Sequence, residues 1–418
     1  MQIAERFDKL VDAVRGSRAL ENRIGKLVER VRATHAVPMR MRLWNGRSYE
    51  LGPDPTVTLS VPTPSALRYL LAPDFMTFGE GYVEGHIDVE GPIHEAFRVG
   101  EKFLTAVADR GALAPLRRAI RHTRQHDREA IEYHYDVSNE FYSLLLDRNM
   151  VYTCAYFKNE ADSLELAQEQ KLDHVLTKLR VQPGERLLDI GCGWGALVFR
   201  AAEKFGARAL GVTLSRNQYE YAQEKIREKG IADRCEVRLQ DWRDLRGTGK
   251  FDKIAAVGVI EHVGRRDMRD YFKTVAGLLK DGGLMLNHGI SSVDPESRAV
   301  GRGVGDFIGK YVFPNGELAH ISLLLHEMQA AGLEPTDVES LRRHYAKTTA
   351  MWAERLEANR ERALALAGEK RLRIWLVYLA GSAFAFAQGW INIYQVLCCK
   401  HGGPGLNPLP LTREYMYR

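Results

Sequence analysis

The sequence predicts an α/β protein in which a large domain with a parallel sheet follows a smaller α+β domain. Three observations lead to this prediction. From about residue 130, short apolar runs alternate with helix-length segments; a glycine-rich loop follows the first of these runs; and the first 110 residues lack the alternation. Such alternation is typical of a parallel sheet with helices on both faces and a ligand crevice at the carboxyl ends of its strands.

Composition and charge fit this globular class. The chain has 418 residues, of which 45% are hydrophobic and 27% charged, and no long low-complexity tract or collagen-like period is present. Fibrous and wholly disordered proteins are therefore excluded. Lys and Arg number 59 against 54 Asp and Glu, giving a formal net charge of +5. That charge alone does not choose between a nucleic acid, an anionic lipid and no polyanionic partner.

The N-terminal region reads as an α+β domain over residues 1–115. Helical periodicity from Ile3 to Val31 gives way to short strand-like runs, Met39–Trp44 and Thr56–Val61, bounded by turn residues. The basic run Leu116–Arg128 predicts a linker helix over residues 116–130, either solvated or in contact with an anionic surface. We assign residues 131–418 to the large domain.

The large domain contains five short strand candidates, which are Arg186–Ile190, Ala209–Val212, Cys235–Leu239, Lys253–Gly258 and Leu284–His288. Its most apolar stretch, Ile374–Leu397, is interrupted by Gln388, Asn392 and Gln395 and by two glycines. Because a membrane span needs ~20 predominantly apolar residues, we interpret this stretch as a buried helix followed by a strand.

The cysteines and the start of the chain bear on the compartment. The five cysteines form no CxxC pair and have no histidine nearby at metal-ligand spacing, so we expect no metal site and a reduced cytoplasmic location. The first ten residues carry charges every few positions and show no apolar core of a secretory signal.

The strongest motif is the run Leu187–Gly195, in which a strand leads into three alternating glycines and then a helix. Gly191, Gly193 and Ala196 also meet a loose dinucleotide-binding pattern. Asp189 argues against that ligand, because a carboxylate beside the loop would repel a pyrophosphate and attract an ammonium group. We therefore expect a cationic ligand such as S-adenosylmethionine.

The ends of the next two strands supply further candidates. A generic methyltransferase would carry an acid after the second strand for the ribose hydroxyls, but none precedes Glu220 here. Thr213 and Gln218 can hydrogen-bond the ribose instead, and Asp241 with Trp242 is placed to contact the adenine.

With these residues in hand, the sequence resembles the cyclopropane-fatty-acyl-phospholipid synthases and their mycolic acid relatives. The matching motifs are His134–Ser138, Tyr152–Tyr156, Leu187–Gly195, Thr213–Gln218, Glu261–Gly264, His288–Ile290, His344–Thr348 and Cys398. The first hundred residues, with Phe78–Gly85, look like the extra N-terminal domain of the phospholipid-acting branch. The resemblance implies a Rossmann-like, class I S-adenosylmethionine-dependent methyltransferase domain. It also implies transfer of a methylene group to the cis double bond of an unsaturated phospholipid acyl chain.

The resemblance also assigns the site residues. The cofactor contacts fall on Tyr152, Thr153, Leu187, Leu188, Asp189, Ile190, Gly191, Cys192, Gly193, Trp194, Gly195, Thr213, Leu214, Ser215, Arg216, Asn217, Gln218, Asp241, Trp242 and Arg243. A bicarbonate ion is expected against Cys154, Glu261, His288, Ile290 and Tyr345. Cys398 occupies the position of the family's late cysteine and forms a vicinal pair with Cys399.

The implied reaction leaves a carbocation on the acyl chain, which must be kept from water and must lose a proton. The aromatic faces of Tyr345, Tyr156, Phe307 and Tyr311 can stabilise such a cation without adding to it. A small oxyanion held by Glu261, His288 and Tyr345 can act as the base without being a tethered nucleophile, and we expect these groups to titrate together. His262 is the rival base, and a packing role is the alternative for it.

Several alternatives stay open at this level. The same carbocation can yield a 10-methylene branch in place of a cyclopropane. A nucleic-acid methyltransferase is disfavoured because Ile260–Gly264 replaces the Asn/Asp-Pro-Pro-Tyr type loop, and a silent lipid-binding module is disfavoured because the acid and base set is intact. In a lipid enzyme the segment Asp306–Gly316 would line an acyl tunnel; otherwise it is a capping helix. We expect association with the inner face of an anionic membrane, no nucleic acid as partner, and compatibility with a homodimer.

Overall fold

Two β-sheets organise the protein in a computed structural model. The structure describes residues 18–71, 74–107, 137–245, 247, 249–296, 303–313, 316–402 and 407–417. The predicted linker helix 116–130 and the residues before Arg18 lie outside these ranges, as does most of the His134–Ser138 motif.

The first sheet has four short strands in the order β2-β1-β3-β4, with β1 and β3 parallel and the outer pairs antiparallel. Met39, Met41 and Leu43 alternate with more exposed arginines, so one face of β1 is buried, as the period-2 pattern predicts. The elements are α1 (Arg18–His35), β1 (Met39–Leu43), β2 (Ser48–Glu50), β3 (Val57–Val61), α2 (Arg68–Leu71), α3 (Phe75–Val83), β4 (Asp88–Glu90) and α4 (Ile93–Val107).

The second sheet has seven strands in the order β10-β11-β9-β8-β5-β6-β7. Its elements begin with α5 (Asn139–Ser143), α6 (Leu164–Lys178), β5 (Arg186–Ile190), α7 (Ala196–Phe205), β6 (Arg208–Thr213), α8 (Arg216–Lys229), β7 (Cys235–Leu239), β8 (Phe251–Val257), α9 (Met268–Leu278) and β9 (Leu279–Ser292). They continue with α10 (Val304–Tyr311), α11 (Ile321–Ala330), β10 (Leu333–Ser340), α12 (Arg342–Ala358), α13 (Arg360–Ala367), α14 (Glu369–Gln388) and β11 (Ile391–Lys400). The neighbouring strands from β9 to β7 are parallel, whereas β11 pairs antiparallel with both β9 and β10.

All five predicted strands are confirmed, and the sheet is mixed where the sequence predicted a parallel one. Ile374–Leu397 is a helix followed by a strand, as predicted. Within the described residues, no helix is both long enough and apolar enough to cross a bilayer. The parallel strands bring their carboxyl ends to one edge, and this edge positions the candidate site.

The chain divides into two compact units that differ from the predicted domains. The first unit comprises residues 1–119, 301–312 and 356–384, and the second unit comprises 120–300, 313–355 and 385–418. Helix α10 and most of α14 therefore belong to the first unit, although the sequence prediction placed them in the large domain. Packing explains the difference. A Cβ added to Gly79 of α3 would lie 2.9 Å from the ring of Phe307 on α10, and one added to Gly381 of α14 would lie 3.1 Å from the ring of Phe97 on α4.

Candidate active site

The glycine-rich loop begins where β5 ends and leads into α7. Gly193 and Gly195 have φ angles of 56° and 96°, in the left-handed region that favours glycine. A Cβ on Gly195 would lie 2.4 Å from the ring of Phe199, so close packing requires this glycine. A Cβ on Gly193 would meet no atom of the described chain within 4 Å. The backbone at Gly193 can therefore be approached closely by a ligand.

Asp189 lies on β5 beside this loop and is 2% exposed. Its Oδ1 atom is buried and makes no hydrogen bond to any residue that the structure describes. Burial raises the pKa of Asp189 to about 7, and the charge of Lys171 opposes the shift. A buried carboxylate oxygen without a donor suits a cationic ligand, which would favour the ionised form. The residue therefore fits the ammonium group of S-adenosylmethionine.

Helix α6 holds the Tyr152–Thr153 segment. The Lys171 ammonium donates to Thr153 Oγ1 at 2.8 Å, and the Gln168 amide donates to the Thr153 carbonyl at 2.8 Å. Both α6 side chains are buried, and burial lowers the pKa of Lys171 to about 8. The Tyr152 ring packs against Trp352 with centroids 5.1 Å apart. The predicted cofactor contact is thus fixed by side chains that the sequence analysis did not single out.

The candidates after β6 are buried and bonded to each other. The Thr213 hydroxyl donates to Gln218 Oε1 at 2.7 Å, and the Ser215 backbone N–H donates to Thr213 Oγ1 at 3.2 Å. Ser215 also caps α8, whereas Arg216 and Asn217 are exposed. Thr213 and Gln218 therefore form a preorganised polar pair at the strand end, as a ribose contact requires.

The candidates after β7 form a compact turn. Asp241 Oδ1 accepts from the Arg243 backbone N–H at 2.8 Å and from its guanidinium Nε at 2.9 Å. The Trp242 ring meets Tyr271 edge to face at 5.0 Å. Because Arg243 engages one oxygen of Asp241, the indole of Trp242 is the stronger candidate for the adenine contact.

A second group of buried polar atoms lies after β8 and on β9. Glu261 sits in a short 3₁₀ turn, Ile260–His262, and its Oε1 atom accepts from the Ile290 backbone N–H at 2.6 Å. His288 pairs with Val257 across β9 and β8. Glu261 Oε2 and His288 Nε2 are buried and make no hydrogen bond within the described part of the chain.

Protonation makes both groups potential donors. Burial raises the pKa of Glu261 to about 7, so this carboxyl group is substantially protonated near neutrality. Burial, and then Lys171, holds the pKa of His288 well below its ordinary value, so the imidazole is neutral. The Gln395 amide nitrogen lies 3.3 Å from His288 Nδ1, which assigns the acceptor role to Nδ1 and the ring proton to Nε2. Two buried donors without partners suit an oxyanion.

Backbone contacts join Tyr345 and Cys154 to this group. Ile290 pairs with Ile393 across β9 and β11, and the Leu341 backbone N–H donates to the Ile393 carbonyl at 2.9 Å. The Leu341 carbonyl accepts from the Tyr345 N–H at 3.0 Å and lies 3.8 Å from Cys154 Sγ. Burial raises the pKa of the Cys154 thiol, which is therefore neutral. The five predicted oxyanion residues thus lie on adjoining segments.

The Tyr152–Tyr156 and His344–Thr348 motifs are in direct contact. The Ala155 backbone N–H donates to Thr348 Oγ1 at 3.1 Å. The Tyr156 ring is stacked against His174 and against His344, with centroid distances of 4.1 Å and 4.9 Å. These contacts occupy the ring in packing, which argues against its predicted role as an aromatic face for the carbocation.

Other predicted residues lie in packed surroundings. Trp194 donates to Asn139 Oδ1 at 2.8 Å and packs edge to face on Tyr142, so its side chain is 3% exposed. Cys398 is buried in the apolar core, with its sulfur 3.5 Å from that of Met328. The structure thus gives Cys398 a packing environment and does not join it to Glu261.

Three further aromatic or basic candidates belong to the other unit or take part in packing. Phe307 and Tyr311 belong to the first unit, where their ring centroids are 4.9 Å apart. The His262 ring meets Phe313 edge to face at 5.4 Å, in keeping with its packing alternative.

The residues that the sequence analysis missed share one signal on α6. Gln168, Lys171 and Lys178 are buried and follow the i, i+3, i+10 spacing of a single helix face. Polar residues at core spacing indicate buried partners, and here the partners of Lys178 are Asp337 at 2.9 Å and Glu339 at 2.7 Å. Glu339 also contacts His174 at 2.9 Å.

We expect Lys178→Met to destabilise the protein by about 3 kcal/mol, because it removes the buried cation shared by Asp337 and Glu339 and leaves Asp337 with Arg413 alone at 2.7 Å. Burial opposes ionisation of Glu339, but His174 and Lys178 hold its pKa at about 2. The parent should therefore lose this stabilisation as the pH falls from about 4.5 towards 2, and the variant should lose less. Urea unfolding at several pH values measures both effects. Lys204→Met, at a half-exposed pair with Asp173, is the control and should cost about 1 kcal/mol or less.

Comparison with known proteins matches the chain to one family. The model of the family described as mycolic acid cyclopropane synthetase matches residues 122–396, and a domain of unknown function matches residues 27–103. A probable fatty acid methyltransferase of Pseudomonas putida is 45% identical over 383 residues, which cover 91% of this chain and 97% of that protein. Cyclopropane mycolic acid synthase 1 of Mycobacterium tuberculosis is 36% identical over 279 residues, covering 65% of this chain and 96% of that protein.

Solved structures agree with the sequence matches. The cyclopropane synthase MmaA2 from Mycobacterium tuberculosis superposes with a TM-score of 0.63 at 33% identity, covering 65% of this chain and 98% of that one. The mycolic acid cyclopropane synthase CmaA1, solved with SAH and CTAB, gives a TM-score of 0.62 at 35% identity, covering 65% of this chain and 98% of that one.

Proposed function

The chain belongs to the mycolic acid cyclopropane synthetase family of S-adenosylmethionine-dependent methyltransferases. From this premise we propose that it transfers a methylene group to the cis double bond of an unsaturated acyl chain in a membrane phospholipid, forming a cyclopropane ring. The observation that carries the proposal is the pair of buried polar atoms, Glu261 Oε2 and His288 Nε2, neither of which has a hydrogen-bond partner within the described residues. Asp189, the candidate cofactor contact, lies on β5, next to β8 in the same sheet.

The side chains divide the chemistry between two places. When bound, S-adenosylmethionine supplies an electrophilic methyl group. Asp189 would hold its ammonium group, Gly193 would allow close approach of the backbone, and Thr213 with Gln218 would bond the ribose. Positioning of the alkene and the methyl group can contribute several kcal/mol to lowering the barrier.

Deprotonation would depend on the oxyanion residues. We propose that bicarbonate is held by the protonated Glu261 carboxyl group, by the His288 Nε2–H, and by Tyr345 and Cys154, where it would supply the base, with the Ile290 N–H orienting Glu261. The neutral state of His288 and the raised pKa of Glu261 support this, because both groups then donate to an anion. Tyr345 and Phe386, with centroids 4.7 Å apart, supply aromatic surface on the same unit.

The phospholipid is favoured over a mycolic acid by the extent of the match. The Pseudomonas putida protein, whose name refers to fatty acids, aligns over 91% of this chain, whereas cyclopropane mycolic acid synthase 1 aligns over 65%. The additional residues include the separate match over 27–103. Contact with an anionic membrane through the basic run near residues 116–130, a cytoplasmic location and a homodimer are further parts of the proposal.

Mass spectrometry of lipids from cells expressing the chain tests this function. We expect phospholipids whose unsaturated chains gain the mass of one CH₂ group and then resist catalytic hydrogenation, as a cyclopropane does. A product that gains the same mass but takes up hydrogen would indicate the 10-methylene branch. Unchanged phospholipids, with Asp189→Asn cells as the matched background, would contradict the proposed substrate.

A further inference from the structure

The first unit contains an apolar cavity that the proposed reaction does not use. Its volume is about 710 Å³, including the part open to solvent. Helices α3, α4, α10 and α14 of this unit form its walls, together with Val89 of β4. A concave, mostly apolar surface between four helices, partly open to solvent, has the form of a site for an apolar ligand.

The lining is almost wholly hydrocarbon. Phe75, Phe97 and Phe307 contribute ring surfaces, and Gly100 of α4 is buried with no described atom within 4 Å of the position that its Cβ would take. The missing side chain at Gly100 therefore leaves part of the cavity empty. Apolar cavities do not hold ordered water and accept apolar ligands, so the occupant must have a long apolar part.

Polar groups gather at one part of the lining. Tyr82 lines the cavity, and the Arg373 guanidinium lies 4.7 Å from its ring centroid and donates to its backbone carbonyl at 2.9 Å. Arg373 is itself paired with Glu369 at 2.6 Å and with Asp88 at 3.4 Å. The Arg360 guanidinium also lies beside Tyr82 and hydrogen-bonds to it, so two cations face two carboxylates, which suits a polar head group without selecting its charge.

We propose that this cavity binds one acyl chain, separately from the catalytic site, with the polar end of the lipid near Tyr82 and Arg373. The choice of an acyl chain rests on the proposed function, because a lipid enzyme meets such chains in the membrane. A free fatty acid and a phospholipid share this chemistry. The cavity gives the first unit a lipid-binding role and includes Phe307 and Ile308, which belong to the segment Asp306–Gly316 that the sequence predicted to line an acyl tunnel.

Photolabelling of the full chain tests the proposal without reference to turnover. The probes are palmitic acid carrying a diazirine near its methyl end, and vesicles of phosphatidylglycerol carrying the same photoreactive chain. Peptide mass spectrometry locates the adducts. We expect adducts in α3, α4, α10 or α14 of the first unit, with either probe or both, and the more effective probe identifies the source of the chain.

Gly100→Leu provides the critical variant, since its side chain would fill the cavity. We expect about a tenfold loss of labelling in these helices, because the leucine would occupy space that the acyl chain needs, and crowding of this kind costs about one order of magnitude in affinity or more. Gly25→Leu is the matched control, because Gly25 lies on α1 away from the lining and its Cβ position is also open. Unfolding of Gly100→Leu would show in its thermal melt, and Ala96→Leu would then replace it.

The outcomes separate this proposal from the proposed function. Adducts confined to the second unit, or first-unit labelling that survives Gly100→Leu and Ala96→Leu, would overturn the cavity proposal. If the cavity is labelled but the protein modifies no phospholipid, the proposed substrate is overturned and the cavity assignment stays in place.

Discussion

Glu261→Gln should reduce the turnover of unsaturated phospholipid by about 10²- to 10⁴-fold, the usual loss when a positioned acid or base is removed. Glutamine keeps the size of the side chain, and its carbonyl oxygen can still accept from the Ile290 N–H, as Glu261 Oε1 does at 2.6 Å. The amide NH2 group then stands where Oε2 was; it can still donate a hydrogen bond but cannot take up or release a proton, so the expected loss is that of proton transfer at this position. Because Glu261 is not among the proposed cofactor contacts, the affinity for S-adenosylmethionine should stay close to that of the parent.

The response to carbonate should show whether the base is bicarbonate held by Glu261 and His288 or a group elsewhere in the protein. If the donors Glu261 and His288 hold bicarbonate, removing dissolved carbonate should slow the parent enzyme, and added bicarbonate should restore it. The variant should respond much less. Glu236→Gln, on the exposed surface of β7 beside Arg238, is a control that should turn over normally and keep the carbonate response. Normal turnover in Glu261→Gln, together with a parent indifferent to carbonate, would move the base elsewhere, and His262 would be the next residue to test.

The sequence pattern predicted those parts of the fold that depend on residues close together in the chain. The run from β5 through three glycines into α7 combines a buried strand, left-handed positions and a helix start within a few residues, so it could be recognised directly. Glu261 follows β8, and His288 lies on β9 opposite the last residue of β8, so the parallel pairing of these strands brings both to the same edge.

The parts that could not be predicted depend on contacts between distant segments. Lys171 looks like an ordinary helix lysine until Thr153 and Asp189 are placed beside it, and Gln395 acquires its role only when β11 pairs with β9. Helix α10 follows β9 in the chain but packs in the first unit, because Phe307 fits against Gly79, more than 200 residues earlier. Strand β10 contains Pro335 and a register shift, and it therefore lacks a clear alternating pattern.

Asp189→Asn is the second substitution for which we expect a large effect, and its effect should appear in cofactor binding. The parent carboxylate is 2% exposed, and its Oδ1 atom has no donor among the described residues. Asparagine keeps the shape and loses the charge. Truncating one partner of a buried charged pair costs about 2 kcal/mol or more, so the Kd for S-adenosylmethionine should rise about thirtyfold or more. Isothermal titration calorimetry measures the change.

Binding of S-adenosylmethionine should become tighter as the pH rises, a dependence that a merely structural Asp189 would not produce. Burial raises the pKa of Asp189 to about 7, so the free protein carries a protonated carboxyl group below that pH, and a cationic ligand must displace the proton. Affinity for S-adenosylmethionine should therefore be roughly eightfold weaker at pH 6.0 than at pH 7.5. Lys171, whose pKa burial lowers to about 8, begins to lose its charge near the top of this range and adds a smaller change in the same direction. The Asn variant should retain only that smaller change. If the variant binds as tightly as the parent at pH 7.5 and shows the same pH profile, the positive end of the cofactor does not lie at Asp189, and the loop would contribute through the open backbone at Gly193 alone.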